Sequence, residues 1–160
     1  MVSVRSAAIA LFAASVTAQK LQPWDQKNFG YSGAQSDFNV STYYEVNLEP
    51  WPRVSLLFNH LRTYSGLYVQ SSGDFVTDYE VNAHGVGGAI VASYKVCGAK
   101  GNFTYVPFIN SEGTTGVLTN TIMLDARASK NGAKTARINE IYPIYPGDVV
   151  FSPNNTSPCL

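Results

Sequence analysis

Charge is scarce in this chain of 160 residues: Asp, Glu, Lys and Arg together make up 14%, eleven basic against eleven acidic, for a formal net charge of zero. No net field therefore draws the protein to nucleic acid or anionic lipid, and neither is an expected partner. Cysteine is scarcer still, with two in the whole chain, which excludes the disulfide-dense scaffolds of many small secreted proteins. Histidine also occurs only twice, and His60 and His84 stand at no recognised ligand spacing from the cysteines, so neither metal nor cofactor is expected. There is no G-x-S-x-G element, and Gly85-Val86-Gly87-Gly88 lacks the strand before and the helix after that a phosphate cradle requires. Beyond residue 18 no apolar run is long enough to cross about 30 Å of hydrocarbon, so no membrane insertion is expected. Repeats of solenoid length and low-complexity blocks are absent too.

What is present begins with a leader. Arg5 precedes an apolar stretch over 7–14, and Val16-Thr17-Ala18 places small residues where a signal peptidase cuts. This reading gives a signal peptide over 1–18 and one secreted, extracellular domain over 19–160. In an oxidising compartment the two cysteines predict a single disulfide, Cys97 to Cys159. Closing a loop of about sixty residues stabilises a fold by roughly 4 kcal/mol in the chain-entropy account. Acceptor sequons for N-glycans stand at Asn39, Asn102 and Asn154, the last overlapping one at Asn155, and glycosylation of at least one is expected.

Hydrophobic residues reach 45%, enough for one core, and their spacing has the period of strands. Over 42–49, Tyr44, Val46 and Leu48 alternate with Tyr43, Glu45, Asn47 and Glu49. Over 74–81, Phe75, Thr77, Tyr79 and Val81 fall on one side, with Asp74, Val76, Asp78 and Glu80 on the other. Segments 88–96, 103–109, 117–124, 136–142 and 148–151 continue the series, separated by Gly-, Asn- and Pro-containing turns. The expected architecture is all-β, an antiparallel sandwich or barrel of jelly-roll character. One segment conflicts: Val54, Leu57, Leu61 and Tyr64 fall at helical spacing after Pro50 and Pro52, so 53–64 reads as either a short helix or a strand.

Two sets of residues could carry function. Asp78 and Glu80 would share a strand face about 7 Å apart, a separation compatible with an inverting glycoside hydrolase. The plainer reading is a solvated face shared with Glu45, Glu49 and Asp74, because no apolar pocket is evident to raise one acid's pKa. No catalytic residue is assigned, with Asp78 and Glu80 as the alternative. The second set is aromatic. Ten Tyr, eight Phe and two Trp are a surplus, and rings with a polar handle suit sugars and protein partners alike. Tyr43, Trp51, Tyr64 and Tyr68 cluster in sequence as candidate binding residues, with core packing as their other reading.

Leader, lone disulfide and β-rich body together resemble a small secreted fungal protein of the effector, elicitor or cell-surface kind. The run Ile141-Tyr142-Pro143-Ile144-Tyr145-Pro146-Gly147-Asp148-Val149-Val150-Phe151 is similar to the last turn and strand of jelly-roll modules. The resemblance implies a non-catalytic protein that binds a host or neighbouring-cell protein or glycan outside the cell, in a virulence or elicitor role. The alternatives are a small polysaccharide hydrolase or lyase acting through Asp78 and Glu80, and a structural protein of the cell wall.

Overall fold

A computed structural model describes residues 21, 24, 29–31, 34–39, 41–50, 52–151 and 155–159. Among them the alternating segments form ten strands: β1 (Phe29–Tyr31), β2 (Tyr44–Asn47), β3 (Arg53–Tyr64), β4 (Gly66–Ser71), β5 (Val76–His84), β6 (Ile90–Val96), β7 (Asn102–Pro107), β8 (Val117–Ser129), β9 (Thr135–Ile138) and β10 (Glu140–Ile144). No α-helix forms among the described residues. The strands pair antiparallel in three sheets, ordered β1-β3-β8-β5-β6, β10-β4-β7 and β2-β9. Of the expected antiparallel sandwich or barrel, the chain builds the sandwich.

Its core lies between the inner faces. Val54 and Leu56 of β3, Val81 of β5 and Leu124 of β8 meet Leu67 and Val69 of β4, Val106 of β7 and Ile141 of β10 in one buried cluster. Trp24 joins it by donating its indole N–H to the Ile141 carbonyl at 2.6 Å and packing its ring 5.3 Å from that of Phe58. The chain passes from one layer to the other through Ser65, between β3 and β4. At this crossing a side chain on Gly66 would stand 2.5 Å from the Val106 carbonyl oxygen, so glycine is required where β4 enters between β10 and β7.

Segment 53–64 is a strand, which settles the conflict in its pattern. Val54, Leu56 and Phe58 face inward with strand period. The register then slips, because five steps on β3 from Leu57 to Arg62 oppose two on β8 from Thr121 to Thr119. The extra residues bulge outward, leaving Asn59, His60 and Leu61 exposed and returning Tyr64 to the core. A bulged strand thus imitates helical spacing. Other expectations shift for similar reasons. In β5 irregularities between Val76 and Tyr79 turn Val76 inward together with Tyr79 and Val81, whereas strict alternation placed it with the acids. Segment 136–142 is two strands, because the chain leaves β9 at Asn139 to enter another sheet as β10. Segment 148–151 forms no strand; it packs on the three-stranded sheet, with Phe151 stacked on Tyr68 at 4.1 Å.

Candidate functional site

Strands β2 and β9 form a two-stranded ribbon that buries Val46, Ala136 and Ile138 and turns its alternate residues to solvent. Tyr43, just before β2, is 44% exposed. Across the ribbon the Arg137 guanidinium lies 4.4 Å from the Tyr43 ring centroid and 3.8 Å from the Glu45 carboxylate. Arg137 is anchored through its backbone, whose N–H donates to the Asp74 carbonyl at 2.8 Å, so the turn at 72–75 borders the same surface. There the Asn131 amide donates to the Asp74 carboxylate, and the Ser72 hydroxyl donates to Asn139 Oδ1 at 2.9 Å. The result is an exposed ring braced by a cation, with the Glu45 carboxylate and the turn carrying Asp74 both against Arg137. Such a set can stack on an apolar ligand face while its charged groups bond hydroxyl groups.

The loop leading to Tyr43 is tied down by a pair of acids. The Asn39 N–H is shared between Asp37 Oδ1 at 2.8 Å and Glu140 Oε2 at 3.0 Å, and the Thr42 hydroxyl lies 2.9 Å from Asp37 Oδ2. Glu140 is fully buried, and loss of solvation pushes its carboxyl up to about 8, with the negative charge of Asp37 adding to the rise and the Asn39 N–H opposing it. Glu140 is therefore neutral at pH 7, and two carboxyl groups can share one corner of the loop.

A second surface lies on the outer face of the five-stranded sheet. Asp78 and Glu80 both line a depression of about 310 Å³ together with Lys95, Arg127 and the disulfide. Asp78 accepts from the Thr77 hydroxyl at 2.7 Å and from the Gly98 N–H at 3.2 Å; Glu80 accepts from the Ser93 hydroxyl at 3.1 Å. Both carboxylates thus already hold hydrogen bonds from the fold. Among the described residues no group of three or more His, Cys, Asp and Glu gathers as metal ligands. His84 uses its ring Nδ1 on the Gly88 carbonyl at 3.0 Å, closing the turn after β5.

The four aromatic candidates separate. Tyr43 is on the surface, while Tyr64 and Tyr68 are buried, at 1% and 4% exposure. This corrects the sequence reading for those two, whose rings serve packing: Tyr64 against Trp24 and Phe58, Tyr68 against Phe151. Trp51 lies outside the described residues. Cys97 and Cys159 form the expected disulfide. Of the sequons, Asn39 is exposed, Asn155 donates its side-chain amide to the Phe103 carbonyl, Asn102 begins β7, and Asn154 is outside the described residues. Arg137 was not singled out from sequence. Its place between apolar Ala136 and Ile138 marks an outward residue, but its pairing with Tyr43 needed the ribbon.

No protein-family model matches the chain, and no curated protein matches it in sequence. Solved structures do resemble it. Chitosan-binding module 2 of a chitosanase/glucanase from Paenibacillus sp. IK-5, in complex with chitotriose, has a TM-score of 0.56 at 12% identity, covering 69% of this chain and 83% of the module. A pectin-binding carbohydrate-binding module has a TM-score of 0.52 at 16% identity, covering 73% and 81%. The tandem CBM32 domains of Clostridium perfringens ZmpB, in complex with GalNAc, score 0.55 at 18% identity, covering 75% of this chain and 34% of that one. At such identities the likeness is one of fold: this chain shares the β-sandwich architecture of carbohydrate-binding modules.

Proposed function

We propose that this protein is a secreted, non-catalytic glycan-binding module that holds sugar on the Tyr43 surface. The observation that carries the reading is the exposed Tyr43 ring, braced by Arg137, which Glu45 and the turn at Asp74 hold in place. Pyranose rings present an apolar C–H face and a hydroxyl edge, and those two features match a tyrosine face beside the Arg137 guanidinium and the Glu45 carboxylate. Solved modules of the same architecture that bind chitosan, pectin or GalNAc support a sugar over other ligands. The disulfide agrees with an extracellular setting. In the fungal-type context that the sequence resembles, such binding would act at the wall or surface of a host or neighbouring cell, as an effector or elicitor does.

Binding is measured by retention on insoluble polysaccharides and by affinity electrophoresis against a soluble panel. Tyr43→Ala is expected to lower affinity about tenfold or more, the loss of one stacked ring. On uncharged polysaccharides, Asp78→Asn and Glu80→Gln are expected to leave retention unchanged. The depression between those two acids keeps one other reading in view, a small hydrolase or lyase. Release of new reducing ends by the wild type, abolished by both acid substitutions, would replace the binding proposal with that one.

A further inference from the structure

We propose that Lys95 and Arg127 form a second ligand site, separate from the Tyr43 surface, that holds one carboxylate or sulfate group of an acidic glycan. It rests on which hydrogen-bonding groups the depression beside the disulfide has already used. Asp78 and Glu80 are engaged by Thr77, Gly98 and Ser93. The cations are engaged only weakly. Among the described residues the Lys95 ammonium has no ion pair, although Lys95 stands directly across from Glu80 in the β5–β6 register. Arg127 reaches Glu80 only at 3.9 Å and keeps 59% of its side chain exposed. The depression therefore offers N–H donors from an ammonium and a planar guanidinium, and their complement is an anionic oxygen ligand.

The backbone places Arg127 there. Between Asp78 and Tyr79 the β5–β8 register slips, two steps on β8 from Ala128 to Ala126 opposing one on β5, so Arg127 is the extra residue of a bulge. Bulges re-aim side chains, and this one sets Arg127 at the meeting of three depressions. Besides the depression of about 310 Å³, one of about 260 Å³ lies toward Pro52 and Arg53 and one of about 280 Å³ toward Glu49 and Lys134. A ligand anchored on Arg127 can continue into either neighbour. The flanking carboxylate of Glu80 favours a sugar over an acidic peptide, because sugar hydroxyls donate to its remaining lone pairs whereas a run of peptide carboxylates would only repel it.

The test is calorimetric titration of the full chain with four probes: oligogalacturonate, its fully methyl-esterified form, a sulfated galacto-oligosaccharide, and poly-glutamate of similar length. At least one acidic sugar is expected to bind, the ester not. Which one binds tells carboxylate from sulfate. Arg127→Ala is expected to lower that affinity about tenfold, Lys95→Ala severalfold, and added salt to weaken it. Arg127→Lys, which keeps the charge and loses the planar fork, is expected to fall between. Tyr43→Ala is expected to leave it unchanged, so this site and the Tyr43 surface succeed or fail separately. The proposal is overturned if neither acidic sugar binds, if ester and acid bind alike, if poly-glutamate binds more tightly than both, or if Arg127→Ala binds as wild type with an unchanged melting temperature.

Discussion

Glu140 is a single residue whose burial has a consequence for the whole domain. Its carboxyl is held at about 8 in the fold against an ordinary value of 4.5, chiefly by desolvation. Between those two values the unfolded chain gives up the proton and the folded chain keeps it, so stability falls as pH rises, by about 1.4 kcal/mol per unit from this group. Below pH 4.5 both states are protonated and the effect vanishes. Urea midpoints are therefore expected to be higher at pH 5.5 than at pH 8 for the wild type. Glu140→Gln, which stays neutral and keeps an acceptor for the Asn39 N–H, is expected to flatten that slope. An unchanged slope would mean that other groups set it. At this scale the sequence was partly legible. Tyr43 was recognisable as an outward ring on an alternating strand, whereas Tyr64 and Tyr68 were grouped with it by nearness in sequence and are buried. The difference lies in what covers them: a core behind the β3 bulge for Tyr64, and the segment carrying Phe151 for Tyr68. Coverage is a property of distant chain, which local pattern does not encode.

Strands set the next level. Where one face meets solvent, as in β2, the period of two was readable and the outer residues Tyr43 and Glu45 followed from it. The three-stranded sheet is different, because it is covered on both faces. All five residues of β10 are buried, and Tyr68, Tyr142 and Ile144 form a second apolar cluster beneath Phe103, Tyr105 and Phe151. A strand buried twice loses its alternation, which is why 136–142 read as one element and the break at Asn139 went unseen. Gly66 shows how tightly β4 is held there. Gly66→Ala forces a methyl group against the Val106 carbonyl, and a loss of about 1–3 kcal/mol is expected in chemical denaturation. A neutral result would show that β4 and β7 can separate without cost. The helical spacing of 53–64 failed for a related reason. Register against β8, not spacing along the chain, decides where β3 bulges.

Across the whole molecule, the C-terminal segment closes the sheet that carries the second proposed site. The Cys97 N–H donates to the Ser157 carbonyl at 2.8 Å and the Cys159 N–H to the Lys95 carbonyl at 3.2 Å, so the tail lies along the edge of β6 beside the disulfide. The bridge spans 62 residues of sequence. Removing it in the double variant Cys97→Ser and Cys159→Ser is expected to cost roughly 4 kcal/mol, lowering the melting temperature by about 10 °C. A shift of a degree or two would assign the tail's position to its hydrogen bonds and to Phe151 instead. Composition and periodicity by themselves determined that this chain is all-β and that its two cysteines pair. Those properties depend on residue type and near-neighbour order, which a linear reading contains. Only the tertiary structure decided which tyrosine remains in water, and that Arg137 and Arg127, both overlooked in sequence, stand at the two surfaces. Cross-strand pairing and bulges place those side chains beside partners many residues away, and register is fixed by the fit of the assembled core.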